Sequence, residues 1–411
     1  MKILVLNSGS SSQKSALYEI SGALPARPPT PVWEGKIEWD GDQAEMQVQN
    51  SKGANLKHRL KVESRRHAIE QLLNSLWTGD TLVVSAPSEI DIVGHRIVHG
   101  GKDFEQAIVI TPEVKSAIAR MSIFAPLHNR AELEGIEIVE KHFGNVPQVA
   151  VFDTGFHSRL PEAAAVYPGP YEWLARGIRR YGFHGINHQY CAARAAQLLG
   201  RELNSLKLVT CHLGNGCSLA AILGGRSVDT TMGFTPLDGL MMGTRSGSLD
   251  PGILTFLMRA EKSTGQQLDD LLNRKSGLLG VSGLSSDMRQ IVAAMKDGNA
   301  RAKLAFEMFV HHLQSGIGAM IAVLGGIDAL VFTAGIGENS PDMRAAACAN
   351  FAFLGLTLDP AKNAQSHADE EISFSDSSVR VLIIRAQEDW AIAFDCWRLA
   401  SASSGGRARA N

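Results

Sequence analysis

The chain has 411 residues, of which 45% are apolar and 20% are charged. This composition is typical of a globular protein and excludes extensive disorder, and the length exceeds one ordinary hydrophobic core and predicts two domains. A formal charge of -2 gives no net field to attract nucleic acid or an anionic membrane, so we expect neither as a partner.

The cysteines and the N-terminal residues indicate a compartment. Five cysteines occur without a C-x-x-C pair, which argues against a disulfide framework or a zinc site. The apolar stretch before Asn7 is too short for the core of a signal peptide. We therefore expect a reducing, cytoplasmic location.

The first half of the chain begins with three predicted strands. Residues 2–6 are almost wholly apolar and predict a buried strand, the turn NSGSSS follows, and residues 13–20 predict the returning strand. After a proline-rich connection, residues 32–39 predict a third strand.

The second half repeats this layout. Residues 206–212 are mainly apolar, LGNGCS forms a turn, residues 219–223 return, and GGRSVDTT leads onward. The repeat indicates an internal duplication. Because the detailed sequences differ, two unrelated hairpins remain the alternative.

The longest apolar run covers residues 316–337. Asp328 interrupts it, and Gly325 and Gly326 divide it. We therefore predict a buried helix, a turn and a buried strand instead of a membrane span.

A third glycine-rich turn, AGIGENS, follows a strand predicted over residues 329–333, and Ser340 with Pro341 predicts the start of the next helix. NSGSSS, LGNGCS and AGIGENS thus all follow apolar strands, which is where open sheets bind ligands. Glycine lets backbone N–H groups approach a phosphate closely, so the three turns together indicate phosphate binding. For any single turn, an ordinary hairpin is the alternative.

Arginine and histidine occur in short motifs between these turns. Phosphoryl transfer requires such cations and imidazole donors. Taken singly, each residue has a simpler interpretation, because exposed arginines often form ion pairs and histidines often lie in cores. The candidates are His95, Arg96 and His99 in GHRIVHGG, His128 in APLHN, His184 in RRYGFHG and Arg245 in GTRSG.

Two carboxylates follow apolar strands. Asp153 lies in VAVFDTGFH, and Glu388 follows the apolar residues 379–384. Carboxylates are ligands that Mg²⁺ prefers, although a helix cap and an ordinary first-turn glutamate are the alternative roles. These patterns together predict an α/β protein that uses ATP or binds phosphate.

Eight motifs resemble the acetate kinase family, and the match runs from Asn7 to about Ala393. The resemblance implies an α/β fold of the actin and sugar-kinase type, with two duplicated ribonuclease H-like domains and a nucleotide cleft between them. It assigns residues 1–152 with about 390–411 to the first domain and 153–389 to the nucleotide-binding domain, and it implies a homodimer. The motifs are NSGSSSQK, GHRIVHGG, APLHN, VFDTGFH, RRYGFHG, HLGNGCS, DTTMGFTPLDGLMMGTRSG and FTAGIGENS.

The resemblance also implies a reaction, reversible phosphoryl transfer from ATP to acetate that gives acetyl phosphate and ADP. Mg²⁺ is the implied metal, with Mn²⁺ as an alternative, and Asn7 and Glu388 are its implied ligands. The first phosphate loop would contribute Ser10, Ser12 and Lys14.

Catalytic roles follow from the same resemblance. Arg96 and Arg245 would embrace the acyl carboxylate and the moving phosphoryl group, His184 would stabilise the transition state, and His128 would assist. Asp153 would orient the acyl substrate or magnesium. We expect alanine at Arg96 or Arg245 to lower kcat severely and to leave the fold intact.

The remaining implied site residues bind nucleotide or line the acyl pocket. The acyl pocket would contain Val98, Leu127, Phe183 and Pro236. The nucleotide residues would be His212, Leu213, Gly214, Asn215, Gly216, Asp287, Met288, Arg289, Gly335, Ile336, Gly337, Glu338 and Asn339.

Several positions depart from the family pattern, namely Arg130, Ile186, Asn187, Asp238, Ser248 and Met288.

Two alternatives to acetate phosphorylation remain. Propionate is the nearer one, because one methylene changes discrimination by only about 1 to 3 kcal/mol. The other is a non-catalytic ATP-driven switch of the actin or heat-shock type, which would have no use for Arg96, His184 and Arg245.

Overall fold

The fold is described from a computed structural model, which covers residues 1–9, 12–41, 43–61, 63–122, 128–366 and 368–407. The chain divides into two compact units. Unit 1 contains Met1–Gly155 and Gln387–Asn411, and unit 2 contains Phe156–Ala386. The first domain was expected to end at residue 152 and to resume at about 390, whereas unit 1 ends at Gly155 and resumes at Gln387. Asp153 and Glu388 therefore lie in unit 1.

Unit 1 is built on one sheet. Its strands β1 to β5 form an antiparallel meander, and β6 and β8 continue parallel to β1. The strand order is β5-β4-β3-β2-β1-β6-β8-β7. The strands are β1 (Lys2–Ser8), β2 (Ser12–Glu19), β3 (Trp33–Asp40), β4 (Gln43–Asn50), β5 (Asn55–Lys61), β6 (Ile92–Ile97), β7 (Ile108–Val109) and β8 (Gln148–Phe152).

The three strands predicted for the first half are confirmed, but β4 and β5 were not predicted. In β4 the buried residues Ala44, Met46 and Val48 alternate with more exposed ones. This period of two is the ordinary signature of a strand with one buried face.

Helices cover the buried face of this sheet. Unit 1 first forms α1 (Arg65–Asn74), α2 (Pro112–Met121) and α3 (His128–Phe143). Side chains of α1 and α3 pack with the strands in one apolar core, which contains Leu6, Trp33, Ile69, Leu72 and Ile138. Burial of this apolar surface drives the helices onto the sheet.

Unit 2 repeats the strand layout of unit 1. Its strands are β9 (Lys207–Leu213), β10 (Cys217–Leu223), β11 (Arg226–Thr230), β12 (Ala329–Thr333), β13 (Glu370–Glu371) and β14 (Arg380–Ile383). In the order β11-β10-β9-β12-β14-β13, β9 to β11 are antiparallel, and β12 and β14 continue parallel to β9. The order β3-β2-β1-β6-β8 of unit 1 is the same arrangement, so the predicted repeat is confirmed.

The helices of unit 2 flank this sheet and its loops. They are α4 (Glu162–Ala165), α5 (Glu172–Ala175), α6 (Gly185–Leu199), α7 (Pro251–Ala260), α8 (Gly265–Arg274), α9 (Gly277–Ser282), α10 (Met288–Lys296), α11 (Ala300–Leu324), α12 (Ala334–Asn339), α13 (Pro341–Cys348) and α14 (Pro360–Gln365).

The helix, turn and strand predicted from the long apolar run are confirmed as α11, the left-handed Gly325 and β12. Across the described ranges, no helix has the length and apolar character needed to cross a membrane. The prediction that AGIGENS is a turn was wrong, because it forms the short helix α12. The side chain of Glu338 accepts hydrogen bonds from the backbone nitrogen of Ala334 at 2.9 Å and that of Ala386 at 2.8 Å, which holds this helix in place.

The last helix, α15 (Glu388–Arg407), returns to unit 1 and packs on β1 and β6. Gly94 of β6 permits this close approach. A Cβ at that position would lie 2.6 Å from both Cys396 Sγ and Ile392 Cγ2. The first residues of α15 are thereby brought to the end of β1.

Candidate active site

Unit 1 places predicted site residues at the ends of adjacent parallel strands. Asn7 lies near the end of β1, Arg96 lies in β6, and Asp153 directly follows β8. The carboxyl ends of parallel strands form the ligand-binding edge of an open α/β sheet. The sequence therefore brings three predicted residues to one edge of the sheet.

Arg96 and Asp153 form a buried ion pair between Nη2 and Oδ2. Their side chains are 13% and 1% exposed, and Arg96 Nη1 also donates to the backbone oxygen of Ser8 at 3.3 Å. Burial alone would lower the pKa of Arg96, but the carboxylates of Asp153 and Glu388 outweigh burial and raise it. The guanidinium therefore stays charged and is held in one orientation.

Asn7 lies beside two carboxylates at the start of α15. Its Nδ2 donates to Asp389 Oδ1 at 2.8 Å and lies 3.3 Å from Glu388 Oε2. Burial raises the pKa of Asp389, and the hydrogen bond from Asn7 and the charge of Lys14 oppose that rise. Asp389 was missed from the sequence, although it is adjacent to Glu388. The group supplies the hard oxygen atoms that suit Mg²⁺.

Glu132 is a second carboxylate that the sequence did not identify. It lies in α3, is 2% exposed, and both of its oxygens lie 3.1 Å from the backbone nitrogen of Val98. Burial raises the pKa of Glu132 to about 8, and the charge of Arg96 opposes this rise. Its position between apolar residues of a helix was the available signal, since buried glutamates are rare.

The first phosphate loop and the APLHN motif are described in part. Ser12 begins β2 and its carbonyl accepts a hydrogen bond from Gly9 at 2.7 Å, while Lys14 is exposed on β2. Ser10 and Leu127 lie outside the described residues. His128 begins α3, where only its backbone is described.

His184 in unit 2 has a strained backbone. It precedes α6 with a φ of 57°, in the left-handed region that favours glycine. Such strain in a residue other than glycine is concentrated at functional sites. The helix start also favours a nearby anion, because its N–H groups point outward.

Gly216 of the LGNGCS loop lies close to both His184 and Arg245. A Cβ at this glycine would lie 3.5 Å from His184 Nε2 and 3.3 Å from Arg245 Nη1. Arg245 Nη1 also donates to the carbonyl oxygen of Pro236 at 3.1 Å. The structure thus brings together a predicted imidazole, a predicted cation and a predicted phosphate-binding turn.

His212 stacks on His184, with ring centroids 3.9 Å apart and planes inclined by 12°. Asn187 Nδ2 lies 2.9 Å from His212 Nδ1 and 3.3 Å from Thr333 Oγ1. Asn187, which departs from the family pattern, thus directly contacts His212, a predicted phosphate-binding residue. With Nδ1 accepting from the amide, His212 carries its ring proton on Nε2.

Three segments meet around the LGNGCS loop. A Cβ at Gly214 would lie 3.8 Å from Ala334 Cβ at the start of α12. Gly243 donates to the carbonyl oxygen of Asn215 at 3.0 Å, and a Cβ at Gly243 would lie 3.2 Å from Ser286 O. Leu213 is buried at the end of β9, and α12 contains the remaining predicted residues Gly335, Ile336, Gly337 and Asn339.

Four predicted nucleotide residues also have structural roles. Asp287 caps α10 by accepting from the backbone nitrogen of Arg289, whose side chain is 86% exposed and pairs with Asp287 at 2.6 Å. Met288 is buried, and Glu338 accepts the two backbone bonds described above.

The predicted acyl-pocket residues occur in both units. Val98 is buried in unit 1, next to Glu132. Phe183 is buried in unit 2, directly before His184, and the carbonyl oxygen of Pro236 contacts Arg245.

The acetokinase family model matches residues 2–394. The chain belongs to this family. This confirms the resemblance inferred from the motifs.

Curated acetate kinases are similar to this family member along almost their whole length. The acetate kinase of Cyanothece sp. (strain PCC 7425 / ATCC 29141) is 60% identical over 406 residues, covering 98% of this chain and 100% of that protein. The acetate kinase of Gloeobacter violaceus (strain ATCC 29082 / PCC 7421) is 58% identical over 404 residues, covering 97% and 99%.

Solved structures of family members have the same fold. Porphyromonas gingivalis acetate kinase superposes with a TM-score of 0.88 at 40% identity, covering 97% of this chain and 99% of that one. A propionate kinase from Francisella tularensis subsp. tularensis SCHU S4 gives 0.87 at 35% identity with the same coverage. The predicted two-domain fold of the actin-like type is confirmed.

Proposed function

We propose that this acetokinase family member is an acetate kinase, which transfers the γ-phosphoryl group of ATP reversibly to acetate and produces acetyl phosphate and ADP. One observation carries the proposal, namely the 60% identity to an acetate kinase over 98% of the chain. The arrangement of charged side chains in each unit supports it.

Each unit holds groups that suit this reaction. The moving phosphoryl group carries negative charge on its equatorial oxygens, so fixed cations and hydrogen-bond donors stabilise the transition state. Arg96 supplies a charge held by Asp153. Arg245 and His184 supply a second cation and an imidazole, both beside Gly216.

The acyl substrate needs no general base. A carboxylic acid with an ordinary pKa near 4 is ionised at neutral pH, so its oxygen is ready to attack phosphorus in line. The role left for Asp153 is to orient Arg96. This agrees with the contacts of Asp153 to β6, where its side chain accepts from Arg96 and its backbone nitrogen donates to Ile97. His128 would assist near the acyl group, as the family resemblance implies.

Asn7, Glu388 and Asp389 would hold Mg²⁺, mainly through the two carboxylates, which lie against the amide nitrogen of Asn7. Within the described ranges, no cluster of three or more histidine, cysteine, aspartate or glutamate side chains suits a metal ion. Phosphate oxygens and water would therefore complete the coordination, as is usual for Mg²⁺. When bound, the ion would neutralise charge on the phosphates; Mn²⁺ is an alternative with the same oxygen preference.

The nucleotide would bind in unit 2. The LGNGCS loop with His212 and the start of α12 would hold the phosphates, and the segment from Asp287 to Arg289 would lie near the ribose and adenine. The proximity of Asn215, Gly243 and Ser286 supports this assignment.

Hydroxylamine trapping tests the reaction directly. Purified protein with ATP, Mg²⁺ and acetate should produce acetyl hydroxamate, and omission of acetate or Mg²⁺ should abolish it. The same assay with propionate and butyrate gives the ratio of kcat/KM values. A higher kcat/KM for propionate would make the protein a propionate kinase, like the Francisella protein. If none of the three acids gave a hydroxamate, the proposal would be refuted.

We further propose a homodimer in the cytoplasm. Helix α7 has no buried residue although it contains apolar side chains, and Ile253, Phe256 and Met258 are 43%, 58% and 51% exposed. An apolar helix without a buried face requires a partner surface. The five cysteines are buried thiols, which agrees with a reducing compartment.

A further inference from the structure

A chain of buried polar side chains leads to His184. Thr210 Oγ1 of β9 lies 2.7 Å from His188 Nδ1 in α6, and His188 Nε2 lies 2.7 Å from Ser218 Oγ of β10. Ser218 Oγ lies 2.9 Å from His184 Nδ1. Thr210, His188 and Ser218 have no exposed surface.

The number of protons restricts how these bonds are oriented. Burial lowers the pKa of His188 well below its usual value, and His157 and His212 lower it further, so its ring is neutral. A neutral imidazole has one N–H, and a hydroxyl has one O–H. His188 must therefore donate one of its two bonds and accept the other, whereas Ser218, with one O–H and two lone pairs, can donate to at most one of its two histidine neighbours.

We propose that Thr210, His188 and Ser218 are positioning residues that fix His184 in its Nε2–H tautomer. Thr210 donates to His188 Nδ1, His188 Nε2–H donates to Ser218, and Ser218 donates to His184 Nδ1. The ring proton of His184 is then on Nε2, the nitrogen that lies beside Gly216 and Arg245. This inference rests on the proposed role of His184.

The direction follows from what a phosphoryl group requires. Its oxygens only accept hydrogen bonds, so an Nε2–H stabilises them and an Nε2 lone pair repels them. A bond to the second ring nitrogen is the usual means of setting the tautomer of a functional histidine. No proton has to move along the chain, which acts by orientation alone.

Nuclear magnetic resonance tests the tautomer without reference to activity. Protein labelled with ¹⁵N-histidine is examined at pH 8.5, above the ordinary histidine pKa, and His184 is assigned with His184→Asn. We expect the Nε2–H pattern in the wild type and an Nδ1–H population in Ser218→Ala. An Nδ1–H ring in the wild type, or an unchanged pattern in Ser218→Ala, would overturn the inference.

Kinetics separate positioning from structural damage. Loss of the group that hydrogen-bonds the second nitrogen of a metal-binding histidine typically lowers activity about 10-fold or more. By analogy, Ser218→Ala should lower kcat about tenfold and leave the KM values for ATP and acetate nearly unchanged. Ser227→Ala is the matched control, since Ser227 is also buried and its Oγ lies 2.7 Å from His157 Nδ1. Equal losses of kcat in both variants would refute the positioning role.

The middle link has its own test. His188→Gln keeps an N–H that can donate to Ser218, whereas His188→Leu does not, so the glutamine variant should retain more of kcat. Equal kcat in two folded variants would contradict the chain. If the wild type formed no acyl phosphate, the proposed function would fail, while the tautomer measurement would still decide this inference.

Discussion

Arg96 is a buried cation with a dedicated partner. Its ion pair with Asp153 replaces part of the solvation lost on burial, and the side chain keeps a small exposed fraction of 13%. Pairs of this kind contribute little net stability compared with apolar residues, but losing one partner is costly. This geometry favours a charge that is oriented for use instead of one retained for stability.

Arg96→Ala should therefore change both activity and stability. We expect kcat to fall about 100-fold, because a fixed transition-state charge is lost, and the free energy of unfolding to fall by about 3 to 5 kcal/mol, because Asp153 stays buried without its cation. Urea unfolding and steady-state kinetics measure the two effects. This revises the expectation from the sequence that the fold would be unaffected.

The double variant Arg96→Ala/Asp153→Ala provides the control. Removing both charges should restore much of the stability and none of the activity. A double variant no more stable than Arg96→Ala would show that the ion pair is not the source of the loss.

Glu132→Gln should change how stability depends on pH. Since burial raises the pKa of Glu132 to about 8, the folded state holds a proton that the unfolded state has lost above about pH 4.3. Wild-type stability should therefore fall as pH rises from about 5 to 8, by about 1.4 kcal/mol per pH unit at most, and level off above 8. Glutamine cannot ionise, so the variant should lose this slope.

Urea unfolding of both proteins from pH 5 to 9 measures the difference. The free energy of unfolding of Glu132→Gln should increasingly exceed that of the wild type as the pH rises to about 8. Parallel curves for the two proteins would show that Glu132 is ionised throughout this range.

At the scale of elements, helix α15 depends on the absence of a side chain at Gly94. Gly94→Ala would place a methyl group 2.6 Å from Cys396 Sγ and Ile392 Cγ2. We expect about 1 to 3 kcal/mol of destabilisation from overpacking. Because Glu388 and Asp389 begin this helix, the Mg²⁺ concentration for half-maximal activity should also rise.

Gly318→Ala is the matched control for this change. Gly318 lies in α11, and a Cβ there would meet nothing within 4 Å. Alanine should leave the Mg²⁺ requirement unchanged and stabilise the helix by up to about 1 kcal/mol. An equal shift in both variants would exclude a specific effect of α15.

Local patterns predicted β1, β9 and β12, because each is an apolar run followed by a glycine-rich segment. AGIGENS was misassigned because its helix depends on Glu338 bonding to Ala386, which is distant in the sequence. Glu132 and Ser218 were missed because their roles come from contacts across the fold. Ser218 is the last residue of LGNGCS, but the motif alone does not show that its side chain lies between two histidines.

At the scale of the whole molecule, the repeated strand layout gives each unit an equivalent set of strand ends. Asn7 and Arg96 use β1 and β6 of unit 1, while His212 and the start of α12 use the corresponding strands β9 and β12 of unit 2. The same strand layout thus carries two different sets of side chains. The repeated strand and turn layout of the sequence predicted the duplication, whereas the partners of each side chain required the structure.

The exposed apolar side chains of α7 allow a prediction about dimer formation. If α7 pairs with a second copy, Phe256→Asp should place a charge in an apolar interface and convert dimers to monomers. Phe353→Asp is the matched control, because Phe353 is 79% exposed and lies outside α7. Light scattering coupled to size-exclusion chromatography should give a dimer mass for the wild type and Phe353→Asp, and a monomer mass for Phe256→Asp. A monomeric wild type, or a dimer that both variants preserve, would exclude α7 as the interface.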